Sequence, residues 1–129
     1  MLEAGIKGHG ELVVTEDVTA VKVGSGELNV LATPAMIALI EKTAWQSVAA
    51  ELEPGWGTVG GLVNVSHLAP TPLGMKGLCD TVLTAVEGRK LVFEAVVFDE
   101  CGEIGRGTHE RFTVNNERFA DKALKRSEK

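Results

Sequence analysis

Cysteine is almost absent, with Cys79 and Cys101 the only two in 129 residues. Two are too few for a disulfide framework, and their separation matches no metal-ligand spacing. They are expected to be free thiols in a reducing compartment. Positive charge is also short, with 13 Lys and Arg against 18 Asp and Glu and a net charge of −5. That balance disfavours non-specific binding to nucleic acid or to an anionic membrane. No apolar run approaches a membrane span, and the N-terminal MLEAGIKGHGEL lacks the apolar core of a signal peptide. The expected location is the cytoplasm. The glycines form no phosphate-binding loop, and no G-x-S-x-G nucleophile elbow is present. With only His9, His67 and His109 beside the two cysteines, neither a metal nor another cofactor is implied. No repeat interrupts the chain, which at this length is expected to be one domain over residues 1–129.

What the chain does have is one strong helical stretch, Thr33 to Leu52, TPAMIALIEKTAWQSVAAEL. Thr33 is placed to cap it, and Pro34 fits the first turn, where a missing N–H costs nothing. At about 100° per residue, Ile37, Ala44 and Val48 align. Met36, Ile40, Trp45 and Leu52 widen this line into an apolar stripe. Lys42, Thr43, Gln46, Ser47 and Ala50 fall on the other side. Glu41 is expected in the middle of the apolar stripe, where a carboxylate must find a partner or a proton. Misplaced acids of this kind occur at catalytic sites and in purely structural networks alike. If the charge is buried, Glu41→Gln is expected to leave the fold intact or make it more stable.

Around this helix the sequence reads mainly as β. Glu11–Val14 suits a short strand, and Val18–Val23 alternates like a second strand or an extended arm until Gly24 breaks it. Glu53-Pro54-Gly55 ends the helix. From Thr58 to Ala69 one face carries Val59, Gly61, Val63, Val65, His67 and Ala69. Met75–Val86, Arg89–Phe98 and Glu103–Val114 follow as strands, with Glu87-Gly88-Arg89 a tight hairpin turn. The tail from Asn115 suits a short helix carrying Phe119 and Leu124. One long helix with hairpin-connected strands predicts an α+β fold, an antiparallel sheet curled around the helix. A sheet this small leaves free edges, which commonly pair with a second subunit.

His67 is the second misplaced polar residue, inward with Val63 and Val65. An inward His and an inward Glu on packed elements give a carboxylate able to orient an imidazole that titrates near neutrality. Thr33 adds a hydroxyl near helix N–H groups that could stabilise developing negative charge. Gly60 and Gly61, inside a strand, allow close approach of a ligand. His109 and Arg111 fall on what reads as a solvated, mostly polar strand face.

These residues carry a family resemblance. From about Thr33 to Val114 the chain resembles hotdog-fold thioesterases of the fluoroacetyl-CoA thioesterase family. The likeness runs through Glu41, Glu53-Pro54-Gly55, Val65-Ser66-His67 and Thr71-Pro72. It continues through Val86-Glu87-Gly88-Arg89 and Glu103-Ile104-Gly105 to Gly107-Thr108-His109-Glu110-Arg111. The resemblance implies a hotdog homodimer hydrolysing an acyl-CoA thioester, with acyl pockets at the subunit interface. It carries Thr33, Glu41 and His67 over as catalytic, Gly60 as a shaper of the acyl site, and Arg111 as the final-strand arginine. The fluoroacetyl-specific member has a longer region before the Thr, with a phenylalanine-bearing lid. Val23–Ala32 is short and has no aromatic residue, so that specificity is not implied. Two rivals share the fold: an acyl-CoA hydratase or dehydratase, whose His-Phe-Pro run is missing, and a non-catalytic acyl-CoA binder, which needs no base.

Overall fold

The computed structural model describes residues 1–128. Strand β1 spans Lys7–Val13, a 3-10 turn Glu16–Val18, helix α1 Ala20–Val23 and helix α2 Thr33–Val48. Four strands follow: β2 Trp56–His67, β3 Lys76–Glu87, β4 Lys90–Asp99 and β5 Gly102–Asn115. Helix α3, Asn116–Lys125, closes the chain. All strand pairs are antiparallel, in the order β1-β3-β4-β5-β2. This is the expected sheet on a long helix, with one feature that strand spacing did not reveal. Strand β2 crosses the molecule to pair with β5, so it forms an edge and its outer backbone groups have no strand beside them.

The sheet's inner face is built by alternation. Leu91, Phe93, Ala95 and Val97 of β4 point inward, flanked by Cys79 and Leu83 of β3. Against them α2 buries Met36, Leu39, Ile40, Ala44 and Val48. Each large aliphatic side chain so buried contributes roughly 1.5–3 kcal/mol. Thr43, expected on the polar side, is buried with them, its hydroxyl donating to the Leu39 carbonyl at 2.7 Å. Gly10 lets β1 approach this turn of the helix, since a Cβ there would collide with the Thr43 hydroxyl.

The centre of the buried face therefore lies one step round from the expected stripe. Trp45 is 44% exposed, and Glu41 sits with Ile37 on the flank, half-exposed rather than central. The sheet covers only one side of α2, and about 100° separates Glu41 from fully buried Ile40.

Three local expectations are corrected. Val18–Val23 is not a strand or arm. Thr19 accepts a hydrogen bond from the Lys22 N–H, one helical turn forms, and Gly24 at φ 88° ends it. Helix α2 stops at Val48, with a 3-10 turn Ala49–Glu51 in place of the last helical turn. The residue before α2 is Ala32, so Thr33 is the first helical residue and not the cap. The tail does form a helix, with Phe119 and Leu124 exposed.

Candidate active site

Because Thr33 is not used as a cap, its hydroxyl is free for another partner. At the far end of β2, His67 supplies it, with Thr33 Oγ1 and His67 Nδ1 2.7 Å apart. The other ring nitrogen, Nε2, is buried and has no hydrogen-bond partner among the described residues. Burial lowers the His67 pKa below the ordinary value, which favours a neutral ring ready to accept a proton. The pair lines a groove of about 280 Å³ with Ala20, Val30, Leu31 and Leu68. Segment Val23–Ala32, which lacks an aromatic side chain, contributes to that wall.

A second cluster surrounds Glu41. Its Oε2 accepts from Arg111 Nη1 at 3.3 Å, and the two side chains are 41% and 7% exposed. Arg111 also donates through Nε to Thr58 Oγ1 at 2.8 Å and through Nη2 to the Thr58 carbonyl at 3.0 Å. Its Nη1 lies 3.1 Å from His109 Nε2, which must accept, so the proton is on Nδ1 and is donated to the Leu62 carbonyl at 2.8 Å. Three residues of β5 and α2 and the backbone of β2 are thus tied together.

Neither His109 nor Arg111 is on a solvated face; both are buried and point inward. Polarity misled the sequence reading, because both faces of β5 look polar at this point. Only the folded register reveals them. His109 lies opposite Phe93 and Arg111 opposite Leu91, two core positions, after a bulge at Val97/Phe98 shifts the pairing by one residue from the count out of the turn. His109 is the member of the site that sequence reasoning passed over.

The glycines also part company. A β-bulge between Gly60 and Leu62 breaks the alternation of β2. Gly60, not Gly61, faces the carboxylate, and a Cβ on it would lie 2.5 Å from Glu41 Oε2. Gly61 is turned toward the Phe112 ring. Within the subunit Glu41 and His67 share no hydrogen bond. Among the described residues no three His, Cys, Asp or Glu side chains are grouped as a metal site requires.

Comparison with known proteins places the chain as a whole. The model of the family described as fluoroacetyl-CoA-specific thioesterase matches residues 14–117. The chain belongs to this thioesterase family. The fluoroacetyl-CoA thioesterase of Streptantibioticus cattleyicolor is 38% identical over 98 residues, covering 76% of this chain and 70% of that protein. A solved structure of the fluoroacetyl-CoA thioesterase FlK superposes with a TM-score of 0.92 at 31% identity, covering 97% of each chain. A Thermus thermophilus thioesterase superfamily member, at 23% identity and a TM-score of 0.91, covers 99% of this chain and 95% of its own. A hot-dog-like protein from Thermanaerovibrio acidaminovorans matches at 22% identity and a TM-score of 0.88, with 97% and 93% covered. The fold is the hotdog fold, and the chain is a thioester hydrolase.

In this thioesterase Gly60→Ala should separate activity from stability. The new methyl collides only with the half-exposed Glu41 carboxylate and stands in ordinary contact with Arg111 and His109 at 3.5 Å, so the melting temperature should stay within a few degrees of wild type. The displaced carboxylate should lower kcat by about tenfold or more. Melting and steady-state rates on one preparation check this, and an unaltered kcat would detach Glu41 from the chemistry.

Buried His109 and partly buried His67 predict an acid-side loss of stability. Burial lowers the His109 pKa, and the Arg111 charge pushes the same way. His67 is lowered too. In the unfolded chain both titrate near about 6.5. Below that pH the unfolded state binds more protons, so stability falls as pH drops through 6.5 toward the folded values. Exposed His9 works in the opposite sense, its pKa raised by hydrogen bonds to Asp80 and Glu11. Its contribution is full at low pH and is lost as pH rises through the folded value. His109→Gln should therefore flatten the acid-side fall in melting temperature between about pH 7 and about pH 5. An unchanged slope would exclude His109 as its source.

Proposed function

We propose that this protein hydrolyses a small or medium acyl-CoA thioester at a Thr33, Glu41 and His67 site assembled across a homodimer interface. The observation that carries the reading is the 2.7 Å contact of Thr33 with His67, whose second nitrogen is unpartnered beside a groove, in a thioesterase-family chain. Water attacks the thioester carbonyl carbon, the C–S bond breaks, and the products are a carboxylic acid and the CoA thiol. His67 takes the proton of the attacking water and returns it to the departing sulfur. Thr33 fixes the ring. Glu41, oriented by Arg111, positions that water. In the alternative route its carboxylate attacks the thioester carbonyl first, and the C–S bond breaks to expel the CoA thiolate. Water activated by His67 then hydrolyses the acyl–Glu41 anhydride to the acid and free Glu41, and the proton passes to the thiolate.

Two subunits are needed because Thr33 and Glu41 are eight residues apart on α2, about 12 Å at 1.5 Å per residue. Strand β2 offers the means, an open edge with Leu62 and Val63 exposed. Antiparallel pairing of two copies centred on Val63 and Asn64 sets Gly60 of one strand opposite His67 of the other. Glu41 lies directly behind Gly60. The Glu of one subunit thus meets the Thr–His pair of its partner, and Arg111 lines the acyl site from below.

Thiol release from a panel of acyl-CoAs tests the function. Turnover of short or medium esters is expected, and failure on every member would overturn the reading. With no aromatic residue in Val23–Ala32 to close the pocket, fluoroacetyl-CoA and acetyl-CoA should differ by less than about tenfold in kcat/KM, under about 1.4 kcal/mol. A preference of several orders of magnitude for the fluorinated ester would show a selectivity element elsewhere.

A further inference from the structure

A second concave site lies away from the catalytic groups, between α3, the Trp56 end of β2 and the β3–β4 turn. It has a volume of about 170 Å³ and is lined by Trp56, Arg89, Val114, Arg118, Phe119 and Lys122, with Asn115 at its edge. Three cations converge there and no carboxylate lines it. Four other cations are paired, Lys76 with Glu11, Lys90 with Glu87, Arg106 with Glu103 and Arg111 with Glu41. Among the described residues Arg89, Arg118 and Lys122 take part in no ion pair; Lys7, Lys22, Lys42, Lys125 and Arg126 are unpaired too but do not line this hollow. In a chain of net charge −5, a cluster of unpaired cations is an unsatisfied demand for anions.

The site also has aromatic walls. The Arg89 guanidinium lies 5.7 Å from the centre of the Trp56 ring, and Phe119 is 42% exposed. Asn115 caps α3 by accepting from the Arg118 N–H at 3.1 Å, which holds the first turn carrying Arg118 and Phe119 in place. A flat π face beside several guanidinium and ammonium groups suits a base attached to phosphates.

We propose that this site binds the 3′-phospho-ADP end of the CoA ester. Its phosphates lie on Arg89, Arg118 and Lys122, and the adenine lies against Trp56 or Phe119. The assignment rests on the reading that the substrate is a CoA thioester. The reach is right: Trp56 is four residues along β2 from Gly60, about 13 Å at 3.3 Å per residue, a span that a partly extended pantetheine arm covers.

The double variant Arg118→Ala/Lys122→Ala tests it, since both side chains are exposed and bear no tertiary hydrogen bond. Titration calorimetry with 3′,5′-ADP should show binding to wild type and at least about tenfold weaker binding to the variant. With acetyl-CoA the variant should show a KM raised by about tenfold and an unchanged kcat. With acetyl-pantetheine, which lacks the nucleotide, the two proteins should behave alike. The binding arm stands without turnover, so an inactive protein that still loses 3′,5′-ADP affinity would overturn the thioesterase reading and keep the site. Absence of 3′,5′-ADP binding to wild type, or equal binding by both proteins, would overturn the site whatever the activity. An equal loss on acetyl-pantetheine would overturn it too, by showing that the residues do not act through the nucleotide.

Discussion

Glu41→Gln and His67→Ala are each expected to lower turnover by about 10²-fold or more, the scale of acid–base groups. The double variant should lose little beyond the worse single one, because residues that act as a unit are not additive. Stability separates this outcome from mere damage. Glu41 is half-exposed, and its bond to Arg111 is long at 3.3 Å, so losing its charge should cost only about 1 kcal/mol. That reverses the sign expected for a carboxylate buried on the apolar face, since here the buried charge belongs to Arg111. Arg111 keeps its bonds to Thr58 and His109 in the variant. Rates and melting temperatures measured together decide the matter. Near-wild-type hydrolysis by a folded Glu41→Gln protein would end the mechanism proposed above.

Mixing the two inactive single variants should restore activity. If Glu41 of one subunit serves the Thr33–His67 pair of its partner, a heterodimer of Glu41→Gln with His67→Ala has one site with both defects and one with neither. Random reassociation makes about half of the dimers mixed, so roughly a quarter of wild-type activity should return. A site built within one subunit gives no recovery, because every site then carries one defect. Val63→Pro supplies the companion result. Proline near the centre of the open edge disfavours pairing with a further strand, so a variant whose circular dichroism matches wild type should sediment as a monomer and lose thiol release. A fully active monomer would exclude the shared site.

These outcomes depend on features of unequal visibility in the sequence. Helix α2 was legible because a long 3.6-residue period, Pro34 in its first turn and Pro54-Gly55 after its end agree. Strands β3 and β4 were legible for a similar reason, with dense β-branched alternation meeting at a turn where Gly88 adopts φ 65°. Strand β2 was visible as a strand, and its inward face was read correctly from Val63 through Val65 to His67 but not before the bulge. A bulge at Gly61 shifts the period by one residue, and the pattern-based assignment put Gly61 where Gly60 belongs.

The sequence by itself determined the α+β class through local periodicity, and the family through the resemblance carried by short runs of neighbouring residues. Neither needs the rest of the chain in place. The proposed roles of Thr33, Glu41 and His67 came with that resemblance. Only the tertiary structure decided that β2 lies on the edge beside β5, and that His109 and Arg111 point inward to hold Glu41. It also decided that Glu41 sits on the flank of α2 rather than in its buried centre. Each of those depends on pairing between segments far apart in the chain. Arg111 lies seventy positions from Glu41, and no local pattern records which faces the fold will bring together.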